Sequence, residues 1–308
     1  MGIAMQKFEK ATRLGKDYAG KLKKERGIVS IVQIGSSLRR EDFKPNSDLD
    51  FLVIYENPVK KSIELEDIDG VEINLIRYGK KQFVKSLEEG NSVDLIALRF
   101  GKVLHDDGFF AEMKEKGFRP SEKTIDKWIR TATFNLMDAA MNYSFPACLC
   151  CYFKAIHHAA REFCRAVILK EEGDLLEGDA NVLRRLKSSN PELYRKFRMV
   201  TKGRGSYEKF EAKYIKSPKI RNSGLGKYLL ATEDIAIEAL KITMGLNVPK
   251  VNKLISKLQK SYKIDHYHSF YLAPEHKSLM LNLGLKGGKL GFFEYSLENG
   301  ELVKVHTS

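Results

Sequence analysis

Phe8, Ala11, Leu14, Tyr18 and Leu22 recur at helical spacing, so residues 3–26 read as an opening amphipathic helix that stops at Gly27. Gly15 and Gly20 interrupt its interior. Ile28-Val-Ser-Ile-Val-Gln-Ile34 is short and rich in β-branched residues, the composition of a buried strand. Gly35-Ser36-Ser37 breaks it, and after a polar stretch with Pro45, Asn46 and Ser47 a second strand runs from Asp48 to Tyr55. The turn Asp69-Gly70 introduces a third, Val71 to Tyr78. Helical patterns follow at 80–90 and 92–98, then a short strand from Lys102 to His105 that ends at Asp106-Asp107-Gly108. Residues 1–120 therefore read as a small mixed α/β domain.

From Ser121 the texture changes. Residues 121–143, 147–170 and 226–244 carry long helical patterns, with shorter ones near 179–200 and 249–262. Ser121 with Glu122 in the first turn suits an N-cap, while Pro146, Gly173 and Gly245 mark boundaries. No strand pattern interrupts 121–263, which predicts a helical bundle. In the last 45 residues, Leu279 to Leu285, the turn Lys286-Gly-Gly-Lys289, Leu290 to Leu297 and Asn299-Gly300 read as hairpins. The expected class is α+β: a small mixed-sheet domain (1–120), an α-helical bundle (121–263) and a β-hairpin tail (264–308).

Composition adds two points. The apolar runs, such as Ile28 to Ile34, are too short to cross a bilayer, and the first ten residues contain no apolar signal core. Cys148, Cys150, Cys151 and Cys164 crowd into one helical segment, which fits a cytoplasmic protein better than a disulfide framework. The net charge of +13 is uneven: residues 184–228 hold 14 basic against 3 acidic side chains. That stretch, interleaved with Tyr194, Phe197, Tyr207, Phe210 and Tyr214, suits a polyanion such as RNA; a solvated lysine-rich face is the alternative.

The chemistry gathers around the first two strands. Residues i and i+2 of a strand share a face, so Asp48 and Asp50 project together while Leu49 turns to the core. Two adjacent carboxylates repel unless a cation sits between them, and Mg2+ or Mn2+ is the hard ion suited to such oxygens. Glu72, between Val71 and Ile73, is the expected third carboxylate of a two-metal cradle. Gly35 lets backbone approach an anion, and Ser36 offers a hydroxyl and an N–H to terminal phosphates.

The stretch GSSLRREDFKPNSDLDFLVI resembles the signature of the DNA polymerase beta-like nucleotidyltransferase superfamily: Gly-Ser, a spacer, then Asp-hydrophobic-Asp. It is most similar in pattern to the minimal and kanamycin nucleotidyltransferase types, which read Gly-Ser-x-Ala-Arg-Gly before Ser-Asp-hydrophobic-Asp. Arg39 falls on the Arg and Ser47 on the Ser; Leu38 replaces Ala, Arg40 replaces the second Gly, and Glu72 replaces the usual Asp. The resemblance implies transfer of a nucleoside monophosphate from an NTP, with ATP the expected donor, to a hydroxyl acceptor with release of pyrophosphate. Asp48, Asp50 and Glu72 would bind metal, and Gly35, Ser36, Ser37, Arg39 and Ser47 the nucleotide.

The family also implies a following helical domain, HEPN-like in some relatives, although the bundle carries no convincing copy of the Arg-x4-6-His motif of HEPN ribonucleases. In related aminoglycoside enzymes a helical-domain carboxylate is the general base, which makes Glu162 a candidate. The acceptor stays open among an RNA 3′ end, a protein side chain and a small hydroxyl compound, as does a homodimer. The competing class is a catalytically inactive nucleotide- or RNA-binding module on the same fold. Cys148, Cys151, His157 and His158 match no zinc-finger spacing, and Ser223-Gly-Leu-Gly-Lys227 lacks the upstream glycine of a P-loop. His266, Tyr267, His268, Phe270 and Tyr271 suit either base stacking or packing of the tail.

Overall fold

The structure is a computed structural model that describes residues 2–43, 47–60, 63–144, 149–205, 224–273 and 277–307. It divides into two compact units, Met1–Lys127 with Leu175–Val182, and Trp128–Asp174 with Leu183–Ser308.

The first unit runs α1 Gly2–Leu22, β1 Ile28–Ile34, a 3-10 turn Ser36–Leu38, β2 Leu49–Tyr55, β3 Ile63–Ile68, β4 Val71–Gly79, α2 Lys80–Glu88, α3 Ser92–Phe100, β5 Lys102–Asp106 and α4 Phe109–Glu115. Its mixed sheet has the order β3-β4-β2-β1-β5. β2 and β4 are parallel, and the other neighbours antiparallel. Leu49, Phe51 and Val53 of β2 and Ile73 and Leu75 of β4 pack with Ala11, Tyr18, Ala19 and Leu22 of α1. Phe83 of α2 and Phe110 of α4 stack on each other, and Phe83 meets Tyr78 of β4 edge-on. β1 is an inner strand buried throughout, so most of its side chains are apolar, and its two polar ones, Ser30 and Gln33, donate hydrogen bonds to Asp106 and Ser37. Asp50 and Asn74 alternate with the α1-facing residues, so their side chains leave from the opposite face.

The helices that follow are α5 Glu122–Ser144, α6 Leu149–Glu172, α7 Asp179–Ser189, α8 Pro191–Arg204, α9 Gly226–Met244 and α10 Val251–Leu258; all lie in the second unit apart from the first residues of α5 and α7. Phe153, Ile156, Ala160, Phe163 and Val167 of α6 are all fully buried, the pattern of a central bundle helix. Gly203 of α8 comes so close to α9 that a Cβ there would stand 2.6 Å from the Tyr228 ring. The chain ends in an antiparallel meander, β6 Ile264–Ala273, β7 Ser278–Leu285, β8 Lys289–Ser296 and β9 Leu302–Thr307. Leu240 and Val251 meet Phe270, Leu272 and Leu279 in an apolar seam between this sheet and its helices.

The α+β class holds, with differences in detail. α1 ends at Leu22, because the charged run Lys23 to Arg26 turns back toward β1. Strand β3, helix α4 and strand β6 were not expected. Ser121 stands just before α5, its carbonyl accepting the Ile125 N–H at 3.2 Å, and its own N–H donates to Thr124 Oγ in the first turn at 3.1 Å.

Candidate active site

The site is built where β1 ends and β2 begins. Antiparallel pairing sets Ile34 opposite Asp50, so the turn after β1 lies against the Asp50 side chain. Gly35 has φ 84 and ψ −164, and a Cβ on it would stand 2.5 Å from Asp50 Oδ2. Both the positive φ and the close approach require glycine. The 3-10 turn Ser36–Leu38 follows. Ser36 Oγ donates to Ser47 Oγ at 3.2 Å, tying the turn to the residue that precedes Asp48. Ser37 is buried; its hydroxyl accepts from Gln33 Nε2 at 3.0 Å and donates to the Ile34 carbonyl, so it holds the turn from within.

Asp48 and Asp50 converge on one side chain, Asn74 of β4. Its Nδ2 donates to Asp48 Oδ2 at 3.0 Å and to Asp50 Oδ1 at 2.9 Å. The parallel register pairs Asp50 with Asn74 directly. Glu72 lies two residues earlier on the same face, exposed, and pairs across the antiparallel edge with Asp67 of β3. Among the described residues no third His, Cys, Asp or Glu joins the two aspartates in a group able to hold a metal. The structure thus brings Asp48 and Asp50 together and sets an amide, rather than the Glu72 carboxylate, opposite Asp50.

Leu175–Val182 returns to this unit. Glu177 is buried; its Oε1 accepts the Gly35 N–H at 3.2 Å, and its Oε2 pairs with Arg39. Arg39 also pairs with Asp42. Burial opposes the guanidinium charge, but the carboxylates of Asp42 and Glu177 outweigh it and raise Arg39 above its usual range. Gly178 presses on the same pair: a Cβ there would lie 2.2 Å from Asp42 Oδ2.

Residues 16–126 match the nucleotidyltransferase domain. The match runs from α1 into the start of α5 and includes Gly35, Ser36, Asp48, Asp50 and Asn74. No curated protein matches the chain significantly. Among solved structures, the chain is similar to a nucleotidyltransferase-like protein from Exiguobacterium sibiricum 255-15, at 16% identity over 84% of this chain and 93% of that one, with a TM-score of 0.30.

Two residues at this turn carry no mark in the sequence. Asn74 bears a neutral amide where a metal cradle calls for a carboxylate, although it shares the Glu72 face of β4 at i+2. Glu177 lies 142 residues from Gly35 in a stretch between helices, and no local pattern announces it. Glu162, the candidate base, is buried in the helical unit against Arg161 and Arg165. Burial raises its pKa, but the two guanidinium groups outweigh that and hold the carboxyl below its usual range, which makes it a poor proton acceptor.

In the basic stretch, Phe197 is buried in the core, and Arg198 covers the Tyr194 ring. Tyr207, Phe210 and Tyr214 lie outside the described residues, as do Cys148, Ser223 and the side chains of His266, Tyr267 and His268. Phe270 is buried. Among the described residues no helix is long and apolar enough to cross a membrane.

Proposed function

We propose that this chain transfers a nucleoside monophosphate from an NTP, with ATP as donor, to a hydroxyl acceptor, releasing pyrophosphate, and that Asp48 and Asp50 hold the divalent cation this requires. The observation that carries the reading is the convergence of both aspartates on one point beside the Gly35–Ser36 turn. The donor set fits Mg2+ or Mn2+: carboxylate oxygens of both residues already face a shared partner, at 3.0 and 2.9 Å from the Asn74 nitrogen. Glu72 is the next carboxylate along that face.

When bound, the cation supplies Lewis-acid stabilisation at the α-phosphate. Phosphate oxygens take the Gly35 N–H and Arg39 in exchange for the Glu177 carboxylate, with the Ser36 and Ser47 hydroxyls beside them. The acceptor oxygen bonds to the α-phosphorus as the α–β bridging P–O bond breaks. Pyrophosphate leaves with that electron pair, and the hydroxyl proton passes to solvent. RNA is the acceptor class that the basic stretch 184–228 favours.

Incubation with ATP labelled at the α-phosphate, followed by mass spectrometry of the protein and of co-purified RNA, tests this reading. Label carried by either one in a Mg2+- or Mn2+-dependent way supports it; bound, unconverted ATP in every condition overturns it. One observation favours the second reading, a catalytically silent nucleotide-binding module: the neutral amide of Asn74 stands opposite Asp50. That reading predicts the latter outcome.

A further inference from the structure

The proposed metal role of Asp48 and Asp50 leaves Asn74 unexplained, and the structure shows a specific oddity there. One end of its amide, Nδ2, is held by both aspartates. The other end, Oδ1, is buried and has no hydrogen-bond partner among the described residues. A buried carbonyl oxygen without a donor is unfavourable, and native folds rarely retain one without cause. The parallel register fixes Asn74 directly opposite Asp50, so its side chain starts beside the pair.

We propose that Asn74 is a ligand to the cation: its amide turns over when a divalent ion binds, presenting Oδ1 beside Asp48 and Asp50 as a third oxygen. This rests on the reading that the two aspartates bind metal, and it names a residue that reading does not require. Without a cation, two carboxylates facing one point select the NH2 end of an amide, because hydrogen donors offset their repulsion. With a cation at that point the preference reverses, since hard divalent ions take amide carbonyl oxygens and reject N–H groups. Turning gives up the two Nδ2 hydrogen bonds, which the contacts of the ion with the same carboxylates replace, and costs Oδ1 none, because it has none to lose. The amide thus acts as a placeholder for the ion. It also sets the charge: two carboxylates and a neutral amide carry −2, which one divalent ion neutralises, so the nucleotide-free chain binds a single ion.

Mn2+ binding to the full-length chain without nucleotide, read by calorimetry and electron paramagnetic resonance, tests this in wild type, Asn74→Leu, Asn74→Asp and Asp50→Asn. Wild type should bind one ion. Asn74→Leu should weaken binding ~10-fold or more, as loss of a ligand does, and Asn74→Asp should tighten it by a similar factor through the added charge. In EDTA, Asn74→Asp should melt below wild type, because three carboxylates then face one another. The Asn74 side-chain NH2 resonances in wild type should shift on titration with diamagnetic Mg2+. Leucine and aspartate variants that both bind Mn2+ within about twofold of wild type, while Asp50→Asn abolishes binding, would overturn the role of Asn74 alone. If Asp50→Asn also binds normally, the aspartate site itself fails.

Discussion

Gly35 answers to two constraints at once, a φ of 84 and an Asp50 carboxylate 2.5 Å from where its Cβ would stand. Gly35→Ala must therefore either push Asp50 away from Asn74 or move the turn. Urea denaturation should show a loss of about 1–3 kcal/mol, the usual cost of a non-glycine residue in such a conformation. Unchanged stability would show that the turn relaxes freely and that its approach to Asp50 is not fixed. At this scale the aspartates were legible because strand alternation alone puts i and i+2 on one face. Asn74 and Glu177 were not: which residue of β4 stands opposite Asp50 depends on strand register, and Glu177 arrives through tertiary folding.

Among the elements, β1 and α9 were legible because each carries a single unmixed pattern: a short β-branched run, and an apolar stripe closed by Gly245. β3 hid because it has no buried face. Its Ile63 and Leu65 are 70% and 66% exposed, and it is held by backbone pairing to β4 and by Glu64, which accepts from Arg77 at 3.0 Å. The junction of β5 with α4 depends on Asp106. Its carboxylate accepts the Ser30 hydroxyl of β1 at 2.7 Å and the N–H groups of Phe110 and Ala111 at 2.9 and 3.0 Å. Burial works to raise its pKa, but these donors outweigh it and depress the value. A depressed carboxylate adds stability above its unfolded pKa and loses it as pH falls through the folded value. Asp106→Asn should thus cost about 1 kcal/mol at pH 7, and the difference from wild type should shrink below roughly pH 4. Chemical denaturation across that range checks the sign; a gap that stays constant with pH would remove the charge from the explanation.

Over the whole molecule, charge and chemistry are carried by different stretches of chain. The aspartate site lies within residues 16–126, which match the nucleotidyltransferase domain, whereas the cationic excess belongs to residues 184–228. Part of that excess is neutralised inside the helical unit. Arg185 pairs with Glu172 and Asp174, and Lys196 with Glu192 and Asp234. The domain type was legible because its motif is local, Gly35 to Asp50; the acceptor was not, because no comparable local motif marks it. The central claim is that Asp48 and Asp50 work as one metal-binding pair in nucleotidyl transfer. Pyrophosphate release from ATP, measured for wild type and Asp50→Asn with Mg2+ or Mn2+ and again in EDTA, tests it most directly. Wild type should release pyrophosphate only with metal and Asp50→Asn should release none, while the metal-free melting temperature of the variant equals or exceeds that of wild type, since one of two facing charges is gone. Full metal-dependent release by Asp50→Asn would contradict the account.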